Sequence, residues 1–196
     1  MIESLENIDR NIFLYLNKLN SPFFDTIMYY TSNQYIWIPL YAVLLFLLIK
    51  KFKIQAIYIT IAIIITIVLT DQLSVHLFKN VFLRYRPSHN LEIKDLVHIV
   101  NNYHGGKYGF ISSHAANTFG LASIFSLIYK NRKMTLILFS WAIIVSYSRI
   151  YLGVHYPSDI VCGALFGILT GSAIYMLYIK IFNFIKIKKS TYYEKN

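Results

Sequence analysis

Residues 54–87 read IQAIYITIAIIITIVLTDQLSVHLFKNVFLRYRP. The apolar run begins at Ile54, continues to about Phe78 and stops at Lys79, after which Arg84, Arg86 and Pro87 follow in close order. A helix that crosses the hydrocarbon core of a bilayer takes about 20 mainly apolar residues. The stretch therefore predicts a membrane-spanning helix that delivers a cluster of cations to the water boundary.

Working outward, the composition agrees. Of 196 residues, enough for one domain, 56% are hydrophobic and 14% charged, against about 25% charged in soluble domains. The mean hydropathy is +0.48. The net charge of +10 sits mostly in short flanks between apolar runs. That is a topology pattern, and no nucleic-acid partner is expected. The single Cys162 excludes an intrachain disulfide and a cysteine-based zinc site, and it reads as a small packing residue. Glu3, Glu6 and Asp9 stand where a cleavable signal peptide carries basic residues, so none is expected.

Apolar stretches at 35–49, 54–69, 115–129, 134–147 and 160–185 predict an all-α polytopic membrane bundle of about five transmembrane helices. Ahead of them, Ile8, Ile12, Leu16 and Leu19 recur at helical spacing among Glu6, Asp9, Arg10, Asn17 and Lys18. This reads as an amphipathic interfacial helix. Ser21-Pro22 breaks it, and 23–30 forms a second short helix. The chain thus divides into an interfacial segment (1–32), a membrane domain (33–185) and a basic tail (186–196) with a frayed end. Lys50, Lys51 and Lys53, then Lys130, Arg132 and Lys133, then Lys186, Lys188 and Lys189 fall on one side of a five-span chain. Short basic loops stay cytoplasmic, which puts the loops 79–113 and 148–159 outside.

Those outer loops hold three polar clusters. Lys79 and Arg86 are two helical turns apart, so a helix unbroken to Pro87 sets both on one face, suited to an anionic headgroup. Ser112, Ser113 and His114 open the third span, where backbone N–H groups and a capping serine point at an anion. Ser148-Arg149 is followed by His155, Pro157 and Asp159. A carboxylate in the first turn of that helix reaches one ring nitrogen of His155, fixes its tautomer and leaves the other free as base or nucleophile. Cations, two histidines and a carboxylate at the edge of apolar segments predict chemistry on the phosphate of a membrane lipid.

In order, spacing and placement, the clusters resemble the signature of the type 2 phosphatidic acid phosphatase (PAP2) superfamily, over about residues 20 to 180. That signature is a lysine, six residues, Arg-Pro; then Pro-Ser-Gly-His; then Ser-Arg, five residues, His, three residues, Asp. The first and third parts match in full. In the second, Ile111-Ser112-Ser113-His114 keeps serine and histidine but not proline or glycine. The resemblance implies a PAP2/haloperoxidase-like core and a phosphohistidine mechanism. His155 is then the nucleophile, Asp159 its orienting carboxylate and His114 the proton donor to the leaving oxygen. Lys79, Arg86, Arg149, Ser112 and Ser113 are then the phosphate-binding residues. It also implies no metal and no cofactor, in a multi-pass protein of the bacterial cytoplasmic membrane. Small bacterial members of similar build point to undecaprenyl pyrophosphate as substrate. Phosphatidylglycerophosphate, phosphatidic acid and lipid A phosphates are the alternatives. A vanadate haloperoxidase and a non-catalytic headgroup binder are the readings from other classes, disfavoured by the spans and by the intact His155–Asp159 pair.

Asp71 and His76 are expected as hydrogen-bonded packing residues near the outer end of the second span. Gly163, Gly167 and Gly171 form a stripe for close helix packing. The loop 88–106, with His89, His98 and His104, is long enough to cover the site.

Overall fold

The structure, a computed structural model, describes residues 2–193. Among these, α1 (Ile2–Asn17) and α2 (Pro22–Ser32) precede α3 (Ile38–Phe52) and α4 (Gln55–Leu73). A π-helical stretch, Ser74–Lys79, carries α4 into the short α5 (Asn80–Phe82). Then follow α6 (Ser113–Tyr129), α7 (Arg132–Tyr151) and α8 (Pro157–Tyr193). No strand forms among the described residues, and Tyr85 and Tyr108 pair only as an isolated bridge. α8 stays helical through Tyr193, where a frayed end is expected from 190. Residues 194–196 and the side chains of Lys186, Lys188 and Lys189 lie outside the description.

Local chemistry sets the helix ends. The Ser21 hydroxyl accepts from Phe24 N, and Pro22 opens α2 with the φ a first turn needs. The Asn131 side chain caps α7 by accepting from Met134 N at 3.0 Å. Lys53 and Lys130 take positive φ, ending α3 and α6 in tight turns. The Lys51 ammonium bonds the Tyr129 carbonyl and lies 4.1 Å from that ring's centroid. Both basic turns thus sit at one end of the bundle. α4 is rich in isoleucine, a middling helix former in water. In hydrocarbon, only a helix satisfies its backbone within the segment.

Among the described residues, four helices are long and apolar enough to cross a membrane: Gln34–Phe52, Gln55–Phe82, Arg132–Tyr151 and Pro157–Ile185. The remaining expected span, α6, is 17 residues, roughly 25 Å at 1.5 Å per residue. It is the buried centre of the bundle, with Ala115, Ala116, Ala122, Ile124 and Phe125 at 0% exposure. Ile57, Ile61 and Ile64 on α4, Ile143 and Ile144 on α7, and Leu165 and Leu169 on α8 are exposed. Such a contiguous apolar exterior is the surface of an integral membrane protein.

Gly163, Gly167 and Gly171 let α8 approach the α6 backbone. A Cβ on Gly167 would lie 2.3 Å from Ala116 O. On α1, Leu5, Ile8 and Ile12 face away from the protein, as does Leu19 just beyond it, while Asp9, Phe13 and Asn17 are buried against it. The Asn17 amide donates to the carbonyls of Tyr151 (2.8 Å) and Ile150 (3.2 Å), and Phe13 meets Tyr156 edge-on.

Lys79 and Arg86 do not share a helix face. Leu83, at φ 48°, ends the helix in the left-handed region. Arg86 lies beyond it in extended conformation, as the residue before a proline must. The two cations are brought together by the chain's turn back and by the Arg86 N–H to Lys107 O bond of 3.1 Å.

Candidate active site

One cavity of about 860 Å³ is lined at its polar end by Lys79, Arg86, Ser113, His114, Arg149 and His155. Each comes from an element terminus: the end of the π-helical stretch, the loop after α5, the first turn of α6, the last turn of α7, and the turn into α8. The rest of the lining is mostly apolar and lies mainly on α3, α4, α6 and α7, including Leu44, Leu48, Ile63, Ile67, Phe125 and Trp141, with Ser32, Asp71, Tyr103 and Asn117 among it.

His155 is 1% exposed and Asp159 fully buried. Asp159 Oδ2 stands 3.3 Å from His155 Nδ1 and accepts from Tyr156 N at 3.0 Å. With Nδ1 facing the carboxylate, Nε2 is the nitrogen left with a lone pair. Burial, then the charges of Arg86, Arg149 and Lys79, hold this imidazole well below the ordinary histidine range. It is a free base at neutral pH.

The cations are fixed by neutral partners, which leaves their charge for an anion. Arg86 Nε donates to Tyr108 O at 3.1 Å and Nη1 to Val154 O at 3.4 Å. Burial, and next Arg149, push the Arg86 guanidinium down to about 10, still charged at neutral pH. Arg149 donates to Tyr103 Oη at 3.0 Å and to Ser32 Oγ. Its Nε is buried without an acceptor among the described residues. Lys79 Nζ donates to Ser113 Oγ at 2.6 Å. His114 Nε2 stands 3.2 Å from Ser32 O, the partner of its N–H, so Nδ1 is the remaining nitrogen.

Ser112 is set apart from the lining. Its N–H donates to Asp159 O at 3.1 Å and its hydroxyl caps α6 by accepting from Ala115 N. It joins the start of α6 to the start of α8. Asp71 lines the cavity and accepts from Asn117 Nδ2 at 3.4 Å, whereas His76, expected to be hydrogen-bonded, is exposed. Three cations converging on a neutral histidine can hold a phosphate and stabilise charge building on it during in-line attack.

The sequence profile of the PAP2 superfamily matches residues 55–182. The chain belongs to the PAP2 superfamily. Its relatives include the lipid A 4'-phosphatases of Bacteroides thetaiotaomicron (40% identical, covering 92% of this chain and 81% of the relative) and Porphyromonas gingivalis (39%, 91% and 76%). An undecaprenyl-diphosphatase of Sulfolobus acidocaldarius is 30% identical over 69% of this chain and 60% of its own length. Among solved structures, Aquifex aeolicus LpxE superposes with a TM-score of 0.62 at 25% identity, covering 87% of this chain and 93% of that one. This PAP2 protein is a membrane lipid phosphatase.

Several residues at the PAP2 site escape a reading of the three motifs. Ser32, at the end of α2, touches both Arg149 and His114. Tyr103 in the loop reaches Arg149; burial raises its phenol, but the charge and hydrogen bond of Arg149 together with the charge of Arg86 outweigh that and lower it. Gly109 admits the site: a Cβ there would lie 3.0 Å from Arg86 Cγ and 3.3 Å from Asp159 Oδ2. Arg84 donates to Asp159 Oδ1 at 2.9 Å. Only Arg84 gave a sequence signal, as an extra cation inside the first motif.

Proposed function

We propose that the protein removes a phosphate monoester from a lipid A-type glycolipid. His155 Nε2 attacks phosphorus, the P–O bond to the lipid breaks, and a phosphohistidine forms. Asp159 holds the Nδ1 proton and stabilises the imidazolium. His114, protonated on Nδ1 when the bound phosphate offsets the neighbouring cations, gives that proton to the departing oxygen, then takes one from the water that cleaves the P–N bond and frees inorganic phosphate. Lys79, Arg86, Arg149 and Ser113 hold the phosphate oxygens; Ser112 supports the loop. These cations supply the positive charge, so no metal is required.

The observation that carries the enzyme reading is the single cavity joining three cations and both histidines to an apolar arm inside the bundle. Such a shape takes a phosphate at one end and hydrocarbon at the other. The choice of lipid rests on the two lipid A 4'-phosphatases at 40% and 39% identity. They weigh more than the 30% identical undecaprenyl-diphosphatase, and so move the substrate from the isoprenoid pyrophosphate favoured by the sequence. The basic turns lie at the far ends of α6 and α7 from His114 and Arg149. This supports a cytoplasmic-membrane protein with its site on the extracytoplasmic face.

The test is phosphate release by purified protein in detergent from 4'-phosphorylated lipid A, undecaprenyl pyrophosphate and phosphatidylglycerophosphate, with and without EDTA. Lipid A should be preferred and EDTA without effect. His155→Ala should lower the rate by roughly a thousandfold or more. Equal rates on the three lipids would remove the substrate assignment, and loss of activity in EDTA the metal-free mechanism.

A further inference from the structure

We propose that Asp9, on α1 and outside the matched family region, is a positioning residue for this reaction, acting through Arg84 to keep Asp159 aligned with His155. The proposal rests on the reading of Asp159 as the carboxylate that orients the nucleophile.

Asp9 is 9% exposed. Its Oδ2 accepts from Arg84 Nη2 at 2.7 Å and from the Ser158 hydroxyl, and its Oδ1 accepts from Ser158 N at 2.9 Å. Arg84 Nη1 meanwhile donates to Asp159 Oδ1 at 2.9 Å and to Ser158 Oγ at 2.7 Å. The guanidinium lies 4.2 Å from the Tyr156 ring centroid, which holds its plane. One fork is therefore shared between two carboxylates from distant parts of the chain.

The sharing has a consequence. An arginine fork left to itself grips a carboxylate with two parallel N–H···O bonds. If Arg84 did so with Asp159, it would engage both oxygens and draw Oδ2 from His155 Nδ1. Asp9 occupies Nη2, so Arg84 takes only Oδ1 of Asp159. Oδ2 then serves His155 and Tyr156 N. Asp9 also satisfies the Ser158 amide in the first turn of α8, a group with no partner inside its own helix. The helix that carries Asp159 is thereby pinned as well. Phe13 and Asn17, one and two turns along α1, anchor this face through Tyr156 and the carbonyls of Ile150 and Tyr151.

Single-turnover phosphate release from 4'-phosphorylated lipid A tests this, because its rate constant is independent of the fraction of active protein. Asp9→Asn should slow it about tenfold while KM stays within about twofold, since Asp9 touches no substrate. Arg84→Gln should slow it comparably, and the double variant should be no slower than Arg84→Gln alone. Arg10→Gln, which breaks the other ion pair of α1 (to Glu92), should leave the rate unchanged. Should Asp9→Asn fail to fold, Ser158→Ala removes only a bridging hydroxyl and should slow the step about twofold to fivefold. A wild-type rate in Asp9→Asn (or in Ser158→Ala if that stands in for it), losses that multiply in the double variant, or an equal loss in Arg10→Gln would overturn the proposal. Asp159→Asn is measured alongside. If it is slow while Asp9→Asn is not, the inference alone fails; if it is as fast as wild type, the reading of Asp159 fails and the inference with it.

Discussion

His155 is buried among Arg86, Arg149 and Lys79, and its imidazole is held well below the ordinary histidine range. A lowered group stays deprotonated as pH falls through about 6.5, the usual histidine value, and protonates only at its lowered value. The kcat/KM of the free enzyme, which reports such groups, should therefore have its acid limb below the ordinary histidine value. A limb at the ordinary histidine value would contradict this. Ser113 is the other residue whose chemistry the structure redefines. It stands where the family motif has glycine, and its hydroxyl is a partner of Lys79 at 2.6 Å. Ser113→Gly removes a bond to a charged group, worth about 1.5–3 kcal/mol. It should lower kcat/KM roughly tenfold or more, measured on the same lipid phosphate. The pairing of His155 with Asp159 was legible because they lie within about one turn of chain. Arg84, Asp9 and Ser32 were not, because their partners lie 75, 149 and 117 residues away.

At the scale of elements, α6 and α8 pack backbone to backbone. A Cβ on Gly167 would come within 2.3 Å of Ala116 O, and one on Gly163 within 2.6 Å of Ser112 O. Gly167→Ala should thus force the helices apart at about 1–3 kcal/mol, seen as a lower midpoint of thermal inactivation in detergent. An unchanged midpoint would contradict the packing. The same contact registers Ser112 and His114 at the start of α6 against Asp159 on α8. The i, i+4, i+8 spacing of these glycines was readable directly. The ending of the Lys79 helix was not: Leu83 takes a left-handed φ that no residue type there demands, and the loop partner of Arg86 supplies the reason. On α1 the apolar period was readable, but the protein packs on the stripe of Asp9, Phe13 and Asn17 instead. The lipid-like residues are left outward, as an interfacial helix requires.

For the whole molecule, the polar end of the cavity and the basic turns lie at opposite ends of α6 and α7. With Cys162→Ser as background, Leu91→Cys, at a position 78% exposed, should react with a membrane-impermeant maleimide added to intact cells or spheroplasts. Labelling only after permeabilisation would reverse the orientation. The sequence by itself determined the membrane class, the helical architecture and the three motif clusters. Apolar run length and motif spacing are local properties, and they act before any tertiary contact forms. Only the tertiary structure decided that α6 is a short buried centre, that Arg86 reaches the site from a loop, that Ser113 and not Ser112 faces the cavity, and that α1 supplies Asp9. Those depend on which backbones can approach and which buried charges find partners. Such pairings join residues far apart in the chain, and no local pattern records them.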